Sequence, residues 1–146
     1  ALLRSTQCWG LDESCLHGGG RCSCQHLIPC CCAPMPLINV RTSLPEVADS
    51  AALLKELSAA LAQQTGKPEA YVMTLLDTAV PMTFAGSSEP CAYVEIKSIG
   101  ALKPQAMTSA FCELIESRTG IPASRIYVAF EDVNASSWGW NGNTFG

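Results

Sequence analysis

No stretch of this sequence gathers lysine and arginine into a basic patch, and no run of like charges of either sign occurs. The electrostatic footprint of a nucleic-acid-binding surface is therefore missing. Apolar runs all fall short of the ~18 residues that mark a membrane-crossing helix, so no membrane span is expected. Cysteine is scarce over most of the chain: of nine, only Cys91 and Cys112 follow residue 32, and both histidines also lie before that point. What remains is a chain of 146 residues, 48% hydrophobic, with a net charge of −4. That is enough for one ordinary domain with a real core.

The first 34 residues stand apart. They hold seven cysteines, the run "HGGGRCSC", His17 and His26, and no hydrophobic periodicity. Cys22, Cys24, His26 and Cys30 could ligate zinc, but their spacing matches no common zinc module, so no metal is expected. Seven is an odd number for a disulfide framework. The "CCC" at 30–32 lacks the flanking basic cluster or amphipathic helix that would support palmitoylation. No apolar core follows a basic start, so the stretch is a poor signal peptide. The expectation for residues 1–34 is a disordered leader, or sequence upstream of a true start at Met35. The boundary falls at Pro34 to Pro36, and residues 36–146 form the domain.

Within that domain the sequence repeats. "TGKPEAYVMTLL" (65–76) and "TGIPASRIYVAF" (119–130) match at an offset of 54 residues. At the same offset Leu53, Leu57 and Leu61 pair with Met107, Phe111 and Ile115, and Val40 pairs with Val94. An apolar residue every four positions makes one face of a helix. Asp49 or Ser50 suits the cap of the first helix, and Pro104 the first turn of the second. Gly66 and Gly120 suit the left-handed position after the last turn. The unit is strand, helix, strand: 37–43, 50–65, 71–77, then 92–98, 104–119, 125–131. Each βαβ crossover places its two strands parallel. The fold class is thus α/β (α+β), with a four-stranded sheet and both helices on one face.

In "YVMTLLD", Tyr71, Met73 and Leu75 point one way, and Val72, Thr74 and Leu76 the other. Both faces are largely apolar, as in a strand covered on both sides. Two helices cover only one face, so further subunits are expected on the other.

From Met35 to Gly146 the chain resembles the macrophage migration inhibitory factor family of the tautomerase superfamily. The likeness is carried by "MPLINV", "TGKPEAYV", "PMTFAGSSEPCA", "KSIG", "RIYVAFEDV" and "WGWNGNTFG", in order. It is greatest to bacterial and plant-like members, which share the "GWNG.TFG" ending. The resemblance implies a homotrimer whose three sheets wrap into a barrel with the helices outside.

It also implies chemistry. The family's catalytic group is an N-terminal proline, here Pro36 after Met35. A free prolyl nitrogen is a secondary amine, whereas inside a chain it is an amide with no useful basicity. An α-amino group titrates near about 7.7–8.0, and an apolar pocket lowers that value. It can then act as a general base at neutral pH. By position alone, Pro36 would merely start a strand, where proline is tolerated. Lys67 corresponds to the family lysine that holds a substrate carboxylate and stabilises enolate charge; without the resemblance it reads as an exposed lysine after a helix. Ser98 and Ile99 match a stretch lining the family pocket, and Tyr127 matches a tyrosine lent by the neighbouring subunit. Leu37, Tyr71, Trp138, Trp140 and Phe145 would supply apolar wall, or plain core. Such a pocket suits a small aromatic keto acid such as phenylpyruvate. No cofactor is implied.

Several positions depart from the family. An asparagine two residues after the tyrosine is Ala129 here, so a substrate hydrogen bond is lost. The Cys-x-x-Cys of some animal members reads "CAYV", with Val94 in the second place, and a dithiol mechanism needs both sulfurs. An Arg and Asp pair used for receptor binding is replaced by Glu46 and Ala79, which argues against cytokine-like receptor contacts. The function expected is keto–enol tautomerisation by a cytoplasmic enzyme, with secretion lacking a conventional signal peptide as the alternative location. The rival function is a non-catalytic binding or signalling protein on the same scaffold, inactive while the leader is attached.

Overall fold

A computed structural model describes residues 35–146. The expected leader, residues 1–34, and with it the zinc alternative, lies outside the described residues. The chain runs β1 (Leu37–Thr42), α1 (Ser50–Thr65), β2 (Met73–Asp77), β3 (Ala92–Ser98), α2 (Pro104–Thr119) and β4 (Ile126–Asp132), then a small hairpin of β5 (Gly139–Trp140) and β6 (Asn143–Thr144). The four long strands form one sheet in the order β2-β1-β3-β4. β1 and β2 are parallel, as are β3 and β4, and β1 meets β3 antiparallel. This is the two-unit βαβ arrangement that the repeat predicts.

The repeat has a spatial meaning. Val40 and Val94, equivalent in sequence, sit directly opposite each other where β1 meets β3. The two units are therefore related by a local two-fold passing between those valines. β2 and β4, the last strands of the two units, become the two edges.

Helix ends follow local chemistry. The Asp49 side chain accepts from the Ala52 N–H and caps α1, while Pro104 opens α2, where a missing N–H costs nothing. Gly66 and Gly120 close the helices at φ 69° and 74°, a conformation that a Cβ would strain. β1 and β4 differ from expectation by a single residue at their ends, and the start of β2 by two. Tyr71 belongs to a 3-10 turn, Glu69–Tyr71, and β2 starts at Met73. The Tyr71 N–H turns back to the Pro68 carbonyl at 3.1 Å, which keeps the residue out of the ladder.

The core lies between helices and sheet. Leu53, Leu57, Leu61, Met107, Phe111 and Ile115 are all fully buried against Ile38, Val40, Val94 and Ile96. The opposite sheet face is open. On β2, Met73 and Leu75 are 50% and 40% exposed, the uncovered apolar side that the strand pattern anticipates. The other strands make that face more polar than β2 suggests. Arg41 pairs with Asp77 at 3.5 Å, and Lys97 bridges Glu95 and Glu131 at 3.1 and 2.9 Å. Among the described residues no helix is long and apolar enough to cross a membrane.

Candidate active site

Leu37 at the start of β1 lies opposite Met73 on one side and Lys97 on the other. One residue earlier, the register puts Pro36 between Val72 and Ser98, and Ser98 is itself opposite Asp132. A row of four residues thus crosses one end of the sheet. Side chains alternate along a strand, so this row shares the helix-covered face with Ile38 and Ile96. Pro36 is buried, and its carbonyl accepts the Met73 N–H at 3.1 Å.

Lys67 arrives from the C-terminus of α1. The glycine cap turns the chain sharply, and the Lys67 N–H closes the turn on the Ala62 carbonyl at 3.1 Å. The side chain then reaches back to the sheet end. Its Nζ donates to Ser98 Oγ and to the Ile99 carbonyl, each at 2.8 Å. An ammonium has three N–H groups, so two are committed to protein acceptors and one is left for a ligand. Burial pushes the Lys67 pKa below its ordinary value, and the nearby Asp132 carboxylate acts in the opposite direction. Desolvation penalises the charged form, and a carboxylate favours it.

The Ile99 carbonyl belongs to a tight turn after β3. Gly100 and Ala101 are both left-handed, at φ 67° and 59°. The Gly100 N–H donates to Asp132 Oδ1 at 2.8 Å, and the Val133 N–H donates to the Ser98 carbonyl at 2.9 Å. The turn is thus tied to the end of β4.

An aromatic group stands nearby. The Tyr71 ring meets Trp140 edge-on with centroids 5.9 Å apart, and Trp140 stacks on Phe145 at 6.4 Å. Trp138 is half-buried at the base of the hairpin, its carbonyl accepting the Phe145 N–H at 3.1 Å. Leu37 alternates onto the open face beside Met73.

Tyr127 is elsewhere. It pairs with Tyr93, five positions before Ser98 and Asp132, which is about 16 Å along a strand, and it sits on the open face. Tyr127 is 66% exposed, its ring centroid 4.9 Å from that of Phe84. Arg125 lies over Phe84 at 5.3 Å and donates to the carbonyls of Phe84, Ser87, Glu89 and Pro90. One chain therefore brings Pro36, Lys67, Ser98 and Ile99 together, with an aromatic cluster beyond, and leaves Tyr127 at the other end of the sheet. Asp132 went unnoticed in the sequence because the expected strand stopped one residue short of it. The signal was the register itself, which pairs Ser98 with Asp132. Among the described residues no group of three or more His, Cys, Asp or Glu side chains could hold a metal ion.

Known proteins resemble this chain in sequence and in fold. The family described as macrophage migration inhibitory factor (MIF) matches residues 35–146. The chain is 40% identical to the macrophage migration inhibitory factor of Meriones unguiculatus over 114 residues, covering 76% of this chain and 99% of that protein. It is 38% identical to the Brugia malayi homolog over 115 residues, covering 77% of this chain and 100% of that protein. Among solved structures, a macrophage migration inhibitory factor homologue from Prochlorococcus marinus superposes with a TM-score of 0.73 at 57% identity, over 75% of this chain and 99% of the other. Leishmania major MIF2 superposes with a TM-score of 0.67 at 35% identity, over 75% and 97% of the two chains.

Proposed function

Because the chain belongs to the macrophage migration inhibitory factor family and has the tautomerase-superfamily fold, we propose that it is a keto–enol tautomerase acting on phenylpyruvate- or dopachrome-like substrates. Pro36 is the general base once residues 1–35 are removed. The observation that carries this reading is the convergence at the sheet end: a buried Pro36 in register with Ser98, whose hydroxyl accepts from Lys67 Nζ at 2.8 Å.

The reaction moves one proton within the substrate. The free Pro36 nitrogen removes it from the carbon beside the ketone, and the electron pair shifts onto the carbonyl oxygen. The prolyl ammonium then delivers that proton to the oxygen, leaving the enol and a neutral amine. No cofactor is needed for this balance. Burial of Pro36 favours the neutral amine near pH 7. The third N–H of Lys67 binds the substrate carboxylate and offsets charge on the enolate. Tyr71, Trp140 and Phe145 face the aryl group.

The active form is a homotrimer. A head-to-tail contact sets Met73 and Leu75 of one subunit against the Tyr127 end of the next, closes into a ring, and lends Tyr127 to the neighbour's site. The rival reading, a binding protein without turnover, rests on the peptide bond joining Met35 to Pro36. While that bond persists the nitrogen is an amide.

The test compares the chain as given with a chain beginning at Pro36, and with Pro36→Gly in the shorter form. General-base catalysis is worth about 10²–10⁴-fold, so only the short form should turn over phenylpyruvate well. Comparable rates in the two, with the leader shown intact by mass spectrometry, would falsify Pro36 as the base.

A further inference from the structure

We propose that Asp132 is a positioning residue for the carboxylate-binding end of the site, clamping the strained turn after β3 so that the Ile99 carbonyl stays on Lys67 Nζ. The inference rests on the reading of Lys67 given above, and goes beyond it by naming what holds the lysine in place.

Four observations converge. Lys67 is fixed by two acceptors, and one of them, the Ile99 carbonyl, lies on a turn rather than a strand. That turn is strained: Ala101 has a Cβ yet adopts φ 59°, directly after Gly100 at φ 67°. Such geometry persists only where the surroundings over-determine it. The Asp132 carboxylate does so by accepting the Gly100 N–H at 2.8 Å, one residue beyond the carbonyl that Lys67 uses. Finally, Asp132 is held where it is needed, because it ends β4 opposite Ser98 and the next N–H, from Val133, returns to the Ser98 carbonyl at 2.9 Å.

The clamp has an electrostatic side as well. Asp132 from β4 is the charged group acting on Lys67, and the Pro36 nitrogen, once freed, is a titratable group one residue before β1, in register with Ser98. On β3, Lys97 points to the open face, into Glu95 and Glu131. The last turn of α1, Ala62–Thr65, carries no charge, while Glu69 and Tyr71 follow on the 3-10 turn. Asp132 keeps Lys67 protonated to higher pH, and carboxylate binding is lost as pH rises through the lysine's pKa.

Two substitutions separate the parts. Asp132→Asn retains an oxygen for the Gly100 N–H and removes the charge; Asp132→Ala removes both. They are made in the chain beginning at Pro36, a span that holds the hydrophobic core of the described residues. Asp132→Ala should raise KM for phenylpyruvate about tenfold, leave kcat little changed, and speed hydrogen exchange at the Gly100 amide. Asp132→Asn should keep the Gly100 amide protected and KM near the native value at neutral pH, but shift the alkaline limb of kcat/KM and the Lys67 amine titration to lower pH. With the methyl ester neither variant should move KM. The proposal is overturned if Asp132→Ala leaves both KM and Gly100 exchange unchanged, or raises KM for acid and ester alike. Lys67→Ala in the same assay keeps the two ideas apart. Equal losses on acid and ester there remove the carboxylate role of Lys67, while Gly100 exchange and the Lys67 amine titration in the Asp132 variants still read the clamp without turnover.

Discussion

The two βαβ units have nearly the same backbone and opposite duties. Each ends its helix with glycine, follows it with a residue and then proline, and makes one 3-10 turn before the edge strand. In the first unit the residue after the glycine is Lys67, reaching Ser98 and Ile99. In the second it is Ile121, only 1% exposed and part of the core. At the next equivalent position Tyr71 joins the aromatic cluster, whereas Arg125 staples the 84–90 loop through backbone carbonyls. Pro36 opens one unit and Pro90 the other, and only at Pro36 would cleavage free a prolyl amine while leaving both units in one chain. The scaffold requires an apolar or long-stemmed residue after the glycine, not a charge. Lysine at 67 is therefore an addition to the fold rather than a condition of it.

Exchanging those two residues breaks the comparison most sharply. Ile121→Lys would bury an ammonium with no acceptor arranged for it, and burying an unpaired polar group costs at least about 2–7 kcal/mol. A large fall in the urea midpoint is expected. Lys67→Ile should fold with nearly native stability but lose its preference for substrates carrying a carboxylate. Equal destabilisation by both changes would show that the two turns are not the different environments described here.

The halves also differ in how legible they were. Helix faces, caps and strand pairing follow from local rules, so the apolar positions at four-residue spacing and the two glycines placed α1 and α2 to the residue. Tyr71 misled because proline and a backbone return bond decide where a strand begins, and alternation of apolar residues does not report that bond. The open face was legible in part. β2 alone reads as covered on both sides, but its neighbours put Arg41, Glu95 and Lys97 on the same face. The roles proposed for Pro36 and Lys67 come from family resemblance, since neither proline nor a single lysine signals chemistry by spacing. Asp132 acts through a turn whose strain is visible only in φ.

The edge strands sharpen the comparison at intermediate cost. β2 carries Met73 and Leu75 where β4 carries Tyr127 and Ala129, and Asn39, opposite Leu75, has a buried Oδ1 with no hydrogen-bond partner in the described residues. An orphaned acceptor beside an exposed leucine fits a surface completed by another subunit. The chain beginning at Pro36 should sediment as a trimer at micromolar concentration. Leu75→Glu should shift it toward monomer while the helical circular dichroism persists. A native chain that sediments as a monomer would remove the shared site.

The smallest effect separates Tyr127 from its counterpart Met73. The Tyr127 ring packs on Phe84, a contact that phenylalanine preserves, so Tyr127→Phe should leave stability unchanged. Within one subunit the residue is at the wrong end and on the wrong face of the sheet to touch substrate. Any loss of activity must therefore come from the hydroxyl reaching a neighbouring site, and one hydrogen bond is worth about 0.5–1.5 kcal/mol. A modest fall in kcat/KM is expected, smaller than the fall for Lys67→Ala on the same acid. Mixing gives the decisive measurement. Subunits bearing Pro36→Gly supply a good Tyr127, and subunits bearing Tyr127→Ala supply a good Pro36. In a head-to-tail ring assembled at random from equal amounts, about a quarter of the sites combine both intact residues. Mixed and refolded trimers should then exceed the average of the two separate preparations. Activity that never rises above that average would mean Tyr127 serves no site but its own, and the asymmetry between the two edges would be a matter of packing alone.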